Sequence, residues 1–277
     1  MKYRKLKIIP TGWAPAALLI LVVVSSLTLP MVLPFDANVG DLSVAPLSGP
    51  NATHWLGTDD LGRDILSRIV VGVSVSLTAG LIAVSIAGAI GIPFGLIAGL
   101  MGGWLDNVLS RISDALLSFP PLVLAITVVG VFGPSLTNAM IAIGIVYAPR
   151  VFRIARAAAM TISTELYVTA AVALGATKSR ILREHVLPNT ISPLVIETGA
   201  MLSLAIIAEA SLSFLGLGAP PPTPSLGRML ADLRTYWGQI PWAVVAVSLA
   251  LILLVTLLNI TGDRIRDRYV SDRAVLR

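Results

Sequence analysis

The chain has 277 residues, a net charge of +5, 56% hydrophobic residues and only 13% charged residues. A soluble domain carries roughly 25% charged residues, so this composition places the chain among integral membrane proteins. It has no cysteine, which excludes disulfides, thiolate metal sites and Cys nucleophiles. Its Lys and Arg residues are not interleaved with stacking aromatics, which argues against a nucleic-acid partner.

The N-terminus, MKYRKLKIIPTGWAPAALLILVVVSSLTLP, starts basic and turns apolar, as a cleaved signal peptide also does. The run from Ala14 to Leu33 is long enough to cross ~30 Å of hydrocarbon at ~1.5 Å per residue. It lacks a clean small-x-small cleavage site before a polar mature start, so it is read as a retained first span.

Six apolar segments follow the chain, at 14–34, 72–100, 116–133, 135–150, 191–215 and 242–261. They predict an all-α protein with six transmembrane helices. The chain divides into a tail (1–13), a first span (14–34), an extracytoplasmic segment (35–71), a five-span core (72–262) and a second tail (263–277). Within the core lie a cytoplasmic loop (151–190) and an outer loop (216–241). Gly133-Pro134 separates the third and fourth spans as a turn pair. The outer pieces hold only Arg63, Arg68, Arg228 and Arg234 of the 20 Lys and Arg residues. The rest fall on the inner pieces, so the positive-inside rule predicts that both termini and the loop 151–190 are cytoplasmic.

His54, Asp59, Asp60 and Asp64 lie in the outer segment. Carboxylates with an imidazole suit several divalent ions. The local pattern favours structural order instead: Thr58 can cap a helix, with Asp59–Arg63 and Asp64–Arg68 as i,i+4 pairs. In the second span Gly91, Gly95, Gly99 and Gly103 recur at every fourth position. That small face suits close approach of another helix, read as packing within the chain, and Pro93 predicts a kink.

The stretch LYVTAAVALGATKSRILREHVLPN (166–189) interrupts the apolar pattern. Ser163 or Thr164 can cap a helix with Glu165 in its first turn. Leu166, Ala170, Ala173 and Leu174 then share a face, and Gly175 ends the helix at positive φ. Thr177 can cap a second helix, and Pro188 stops it. Helices this short must dock on something. The alanine density, the glycine break and the Leu-Pro stop favour a rigid elbow that fits a groove on a soluble partner over a solvated loop. Gly175-Ala-Thr-Lys178-Ser179 superficially suggests a phosphate loop, but Thr177 stands where glycine must precede the lysine.

Glu197 and Glu209 are the acidic residues within the apolar segments, and ionisable groups at membrane depth are functional candidates. Glu197 is expected to pack against a basic helix end. Glu209, with Ser211 and Ser213, is a candidate for the translocation path; it either lines that path or binds backbone amides of the outer loop.

The order Ala170-Ala171, three residues, Gly175, nine residues, then His185-Val186-Leu187-Pro188 resembles the EAA loop of ABC-importer permeases. HWLGTDDLGRDILSRIVVG (54–72), GGWLDNVLSRISDALLSFP (102–120), REHVLPN (183–189) and AEASLSFLGLGAPPPTPSLGRML (208–230) are each similar to the dipeptide/oligopeptide/nickel permease subfamily. The chain departs from that pattern at Thr169, where glutamate is usual, at His185, where isoleucine is common, and at Leu226, where tryptophan is common.

This resemblance implies a type I ABC importer permease of the bacterial cytoplasmic membrane. Thr169, Ala170, Ala171, Gly175, Leu187 and Pro188 would form the ATPase-coupling surface. The implied partners are a homologous permease subunit, two ATPase subunits, an extracytoplasmic binding protein and membrane lipid. ATP and Mg would be bound by the ATPases, with no cofactor, metal or catalytic residue in this chain. The outer loop, with Tyr236, Trp237 and Trp242 as interfacial anchors, would meet the binding protein, cover the outer end of the bundle, or both. Peptides are the implied cargo, with nickel, metal chelates, glutathione and sugars as alternatives. An intramembrane enzyme fits poorly, since its two histidines, His54 and His185, fall on opposite sides of the membrane. An ion-driven transporter usually carries more buried ionisable groups, and no repeated polar ring marks a channel.

Overall fold

A computed structural model describes residues 14–275, with side chains through residue 268 of the last helix. The basic positions Lys2, Arg4, Lys5, Lys7 and Arg277 lie outside the described residues. Apart from one isolated bridge between Thr58 and Asp64, the regular structure of the described residues is helical.

Helix α1 spans Ala14–Thr28 and ends in a 3₁₀ turn through Met31. After the outer segment come α2 (Ile65–Met101), α3 (Gly103–Leu117), α4 (Pro121–Phe132) and α5 (Leu136–Ser163). The interrupting stretch folds as α6 (Leu166–Ala173) and α7 (Lys178–Ile181), followed by a π turn over Leu182–Val186. Then follow α8 (Leu187–Phe214), α9 (Leu226–Leu233) and α10 (Pro241–Val275). Five helices are long and apolar enough to cross a membrane; the bent pair α3–α4 makes a sixth passage if counted as one span.

The α2–α5 seam is the backbone of the bundle. A Cβ on Gly91 would lie 2.6 Å from Val151 Cβ, one on Gly95 2.7 Å from Ala155 Cβ, and one on Gly99 2.8 Å from Ala159 Cβ. Real side chains do not approach that closely, so three glycines let the two helix backbones meet. The expected small face is thus used within the chain. Gly103 stands apart, with open space around it.

Around the seam, α4 and α3 pack on α5, while α8 touches both α2 and α5; α10 packs on α8, and α1 on α10 and α2. One apolar core joins α2, α4, α5, α8 and the elbow. A second joins the start of α2 to α8, α9 and α10 through Ile206, Leu226, Met229 and Ile240.

Several sequence expectations are corrected. The second, fourth and sixth spans run well beyond 72–100, 135–150 and 242–261, because helix continues past the apolar windows into charged turns. The third span is not a straight helix over 116–133. The chain turns by 91° between α3 and α4, where consecutive Pro120 and Pro121 supply no N–H donors to continue α3. The 12 residues of α4 then reach only ~18 Å.

The outer segment also differs. Thr58 caps no helix, since α2 begins at Ile65 with Asp64 as its cap, accepting from the Ser67 amide at 2.7 Å. Asp59–Arg63 forms as expected at 2.7 Å, but Arg68 pairs with Asp59 at 3.4 Å rather than with Asp64. Asp64 instead meets His54 Nδ1 at 2.9 Å, with Asp41 on the other ring nitrogen at 3.4 Å. His54 is fully buried against the Phe35 ring. Arg68 donates to the carbonyls of Ala37 and Pro222, so it ties the outer segment to the outer loop.

Candidate functional site

The elbow starts where α5 ends. Its first helix begins after Glu165, whose extended backbone (φ −68°, ψ 145°) makes it the cap position in place of Ser163 or Thr164. Its carboxylate forms no capping bond. Helix α6 ends in a Schellman arrangement: the Ala176 amide donates to Ala171 O (3.0 Å) and the Gly175 amide to Val172 O (2.9 Å). Gly175 takes φ +85°, the left-handed geometry such an ending requires. Thr177 then accepts from the Arg180 amide at 3.3 Å and caps the next turn.

Pro188 does not stop that helix. The Leu187 amide donates to Leu182 O, five residues back, and Pro188 falls in the first turn of α8. The π turn resets the ladder just ahead of a residue that has no N–H to give. The second half of the elbow is therefore continuous with the fifth span from Lys178 to Phe214.

The elbow has two unlike faces. Val168, Ile181 and Val186 are buried in the main core beside Leu194, which fixes it on the bundle. Leu166 and Leu174 are 87% and 89% exposed, with Thr169, Ala170 and Ala173 also at the surface. Ala171 is half-buried, whereas Gly175, Leu187 and Pro188 are exposed. All six predicted coupling residues thus occupy one projecting structure. Its base is stitched by the Tyr167 and His185 rings, 5.7 Å apart, and by Asn189, which donates to His185 O at 2.8 Å.

Three arginines follow one another along α5 above the elbow. Arg150 pairs with Glu197 of α8, Arg153 with Asp114 of α3 at 2.7 Å, and Arg156 with Asp106 of α3. Glu197 therefore meets a basic group from a neighbouring helix, but in the middle of α5 rather than at the basic helix end that the sequence suggested.

Beyond Arg150, away from the elbow, α4, α5 and α8 border a half-open apolar recess of about 250 Å³. Leu122, Ala125, Ile143, Tyr147 and Leu204 line it, and Ser211 adds a hydroxyl. The three path candidates separate here. Ser211 faces the recess; Glu209 and Ser213 do not. Glu209 is fully buried towards α2, where it accepts from Ser76 at 3.0 Å and from Ser213 at 2.6 Å. Its partners are hydroxyls, not the outer-loop amides the sequence suggested. Tyr147 was missed as a recess residue, since an isolated aromatic on a helix carries no local signal of what it faces.

The outer loop folds back over the same end. Ser225 caps α9, Gly227 sits directly on the Ala210 carbonyl, and Trp242 donates to Leu56 O at 3.3 Å. These contacts make the loop a cover on α8 and on the outer segment.

A membrane bundle with a half-open apolar recess at one level and an exposed elbow at one end has the build of a permease subunit. Residues 91–271 match the family described as binding-protein-dependent transport system inner membrane component, and the chain belongs to that family. It is an inner-membrane permease subunit of an ABC importer. Among curated relatives, the dipeptide transport system permease protein DppC of Alkalihalophilus pseudofirmus is 40% identical over 80% of this chain and 73% of its own. The glutathione transport system permease protein GsiD of Shigella flexneri is 43% identical over 91% of this chain and 83% of its own. The fold is similar to the MetNI methionine ABC transporter in an inward-facing conformation, with a TM-score of 0.62 and 24% identity over 74% of this chain and 97% of that one. It is also similar to an amino acid ABC transporter, with a TM-score of 0.58, 18% identity, and coverage of 73% and 94%.

Proposed function

We propose that this subunit moves di- or oligopeptides, or a peptide thiol such as glutathione, by alternating access driven from two partner ATPases. A second, homologous permease completes the passage, and an extracytoplasmic binding protein delivers the cargo. ATP and Mg act on the ATPases, and this chain performs no covalent step. The distribution of Lys and Arg favours a cytoplasmic elbow, and the relatives named for dipeptide and glutathione transport favour a peptide cargo.

The observation that carries the reading is the elbow. Leu166 and Leu174 stand almost fully in solvent on a helix whose opposite side is locked into the core. Such apolar exposure on a rigid projection marks a contact surface. Bound nucleotide favours one orientation of the clefts that grip it, and near-complete switching requires ~5.5 kcal/mol of differential affinity. The recess between α4, α5 and α8 would be this subunit's share of the passage.

The test is crosslinking in the assembled transporter. A photoreactive group at Leu166 or Leu174 is expected to attach to the ATPase. Capture of lipid alone, or transport by the isolated subunit under an ion gradient, defeats the proposal.

A further inference from the structure

We propose that Arg150 and Glu197 form an ionic gate across the elbow-side end of the recess between α4, α5 and α8. This rests on the recess being the passage.

The placement follows from helix geometry. Arg150 lies seven residues beyond Ile143 on α5, two turns along the same face, and Ile143 lines the recess. Glu197 lies seven residues before Leu204 on α8, again on the lining face. The two apolar strips that line the recess on α5 and α8 therefore each run into one member of a salt bridge, and the salt bridge joins them.

The pair also sits where the elbow acts. Helices α5 and α8 are the two elements that enter and leave the elbow. Arg150 is 13 residues from the end of α5 and Glu197 is 10 residues from the start of α8, which places them ~20 Å and ~15 Å from it. Any rotation of the elbow that spreads α5 from α8 must stretch this bond. The bond is suited to repeated breaking, because the Arg150 side chain is 46% exposed and that of Glu197 16%. Both ions keep exposed surface in this subunit, so another polar group can replace the lost partner, which a fully buried pair could not allow. Other neighbours already engage the next arginines: Arg153 and Arg156 hold α3 to α5. Arg150 is thus the member of the series committed to α8.

The chain contains no cysteine, so Ser211→Cys gives it a single thiol at the far end of the recess. The assembled transporter is studied in vesicles of both orientations with a membrane-impermeant maleimide, with and without ATP. Arg150→Gln and Glu197→Gln are each expected to raise labelling from the elbow side about fivefold, corresponding to ~1 kcal/mol of gate closure. Arg150→Lys is expected to label at the parental rate, and the exchange Arg150→Glu with Glu197→Arg to return labelling towards it. If neither neutral variant changes the rate while ATP still alters parental labelling, or if the exchanged pair labels like the single variants, the gate is refuted. If parental labelling is the same from both sides with and without ATP, the reading of the recess as the passage fails first.

Discussion

Glu209 has no access to solvent, yet it has two serine donors on its two oxygens. A buried carboxyl stripped of these partners costs more than the hydrogen bonds contribute when formed. Glu209→Ala removes the shared acceptor of Ser76 and Ser213 and opens a void. It is expected to lower stability by ~1–3 kcal/mol, read as a drop in the thermal midpoint of the purified subunit. Glu209→Gln keeps an acceptor and should fall between that variant and the parent; equal midpoints for all three would mean that the serines contribute nothing. In the outer segment, Asp41 accepts from the hydroxyl and amide of Ser43 at 2.6 and 2.8 Å. Those bonds hold its carboxyl below the ordinary 3.8. A carboxyl lowered on folding stabilises above its unfolded pKa, and the contribution disappears as pH falls through the folded one. Proteolytic protection of residues 36–48 should therefore persist at neutral pH and be lost only below about pH 4. Loss of protection already at pH 6 would contradict this assignment.

At the scale of the elements, the elbow and the α2–α5 seam invite opposite substitutions. A Cβ at Gly175 meets no atom within 4 Å, so its positive φ is the sole steric demand there. Gly175→Val should leave the protein inserted but bend the exposed turn, at ~1–2 kcal/mol of local strain, and so separate ATP hydrolysis from uptake. Unchanged coupling would count against docking through this turn. Gly95→Val should instead force the backbones of α2 and α5 apart and cost ~1–3 kcal/mol or more, with a lowered thermal midpoint. Gly88→Ala, whose nearest neighbour is the tip of Ile92 at 3.7 Å, is the harmless comparison. Much of this was legible in the chain: the glycine stripe, the glycine-ended helix and the Thr177 cap are local patterns with local physics. Pro188 misled because proline breaks a helix only where a donor is needed, and the π turn that removes the need leaves no sequence mark. The right-angled turn before Pro121 was hidden for a different reason. Apolar residues continue through it, and hydropathy alone does not sense direction. Glu209 and Ser211 are two positions apart yet face different neighbours, a distinction that only the packing of α2 against α8 decides.

At the scale of the molecule, the six apolar stretches announced the helical architecture, while the shared recess depends on three helices from distant parts of the chain. The seam between α2 and α5 has one further consequence. Where the glycines of α2 seat Val151, Ala155 and Ala159 of α5, the two rods share a close-fitting contact and should move together along that stretch. Helix α2 is 37 residues long, or ~55 Å, and reaches from α3 to the buried histidine and arginine of the opposite rim. A torque applied where α5 enters the elbow should then pass into α2 along the glycine stripe, which makes that stripe the clutch of this half of the machine.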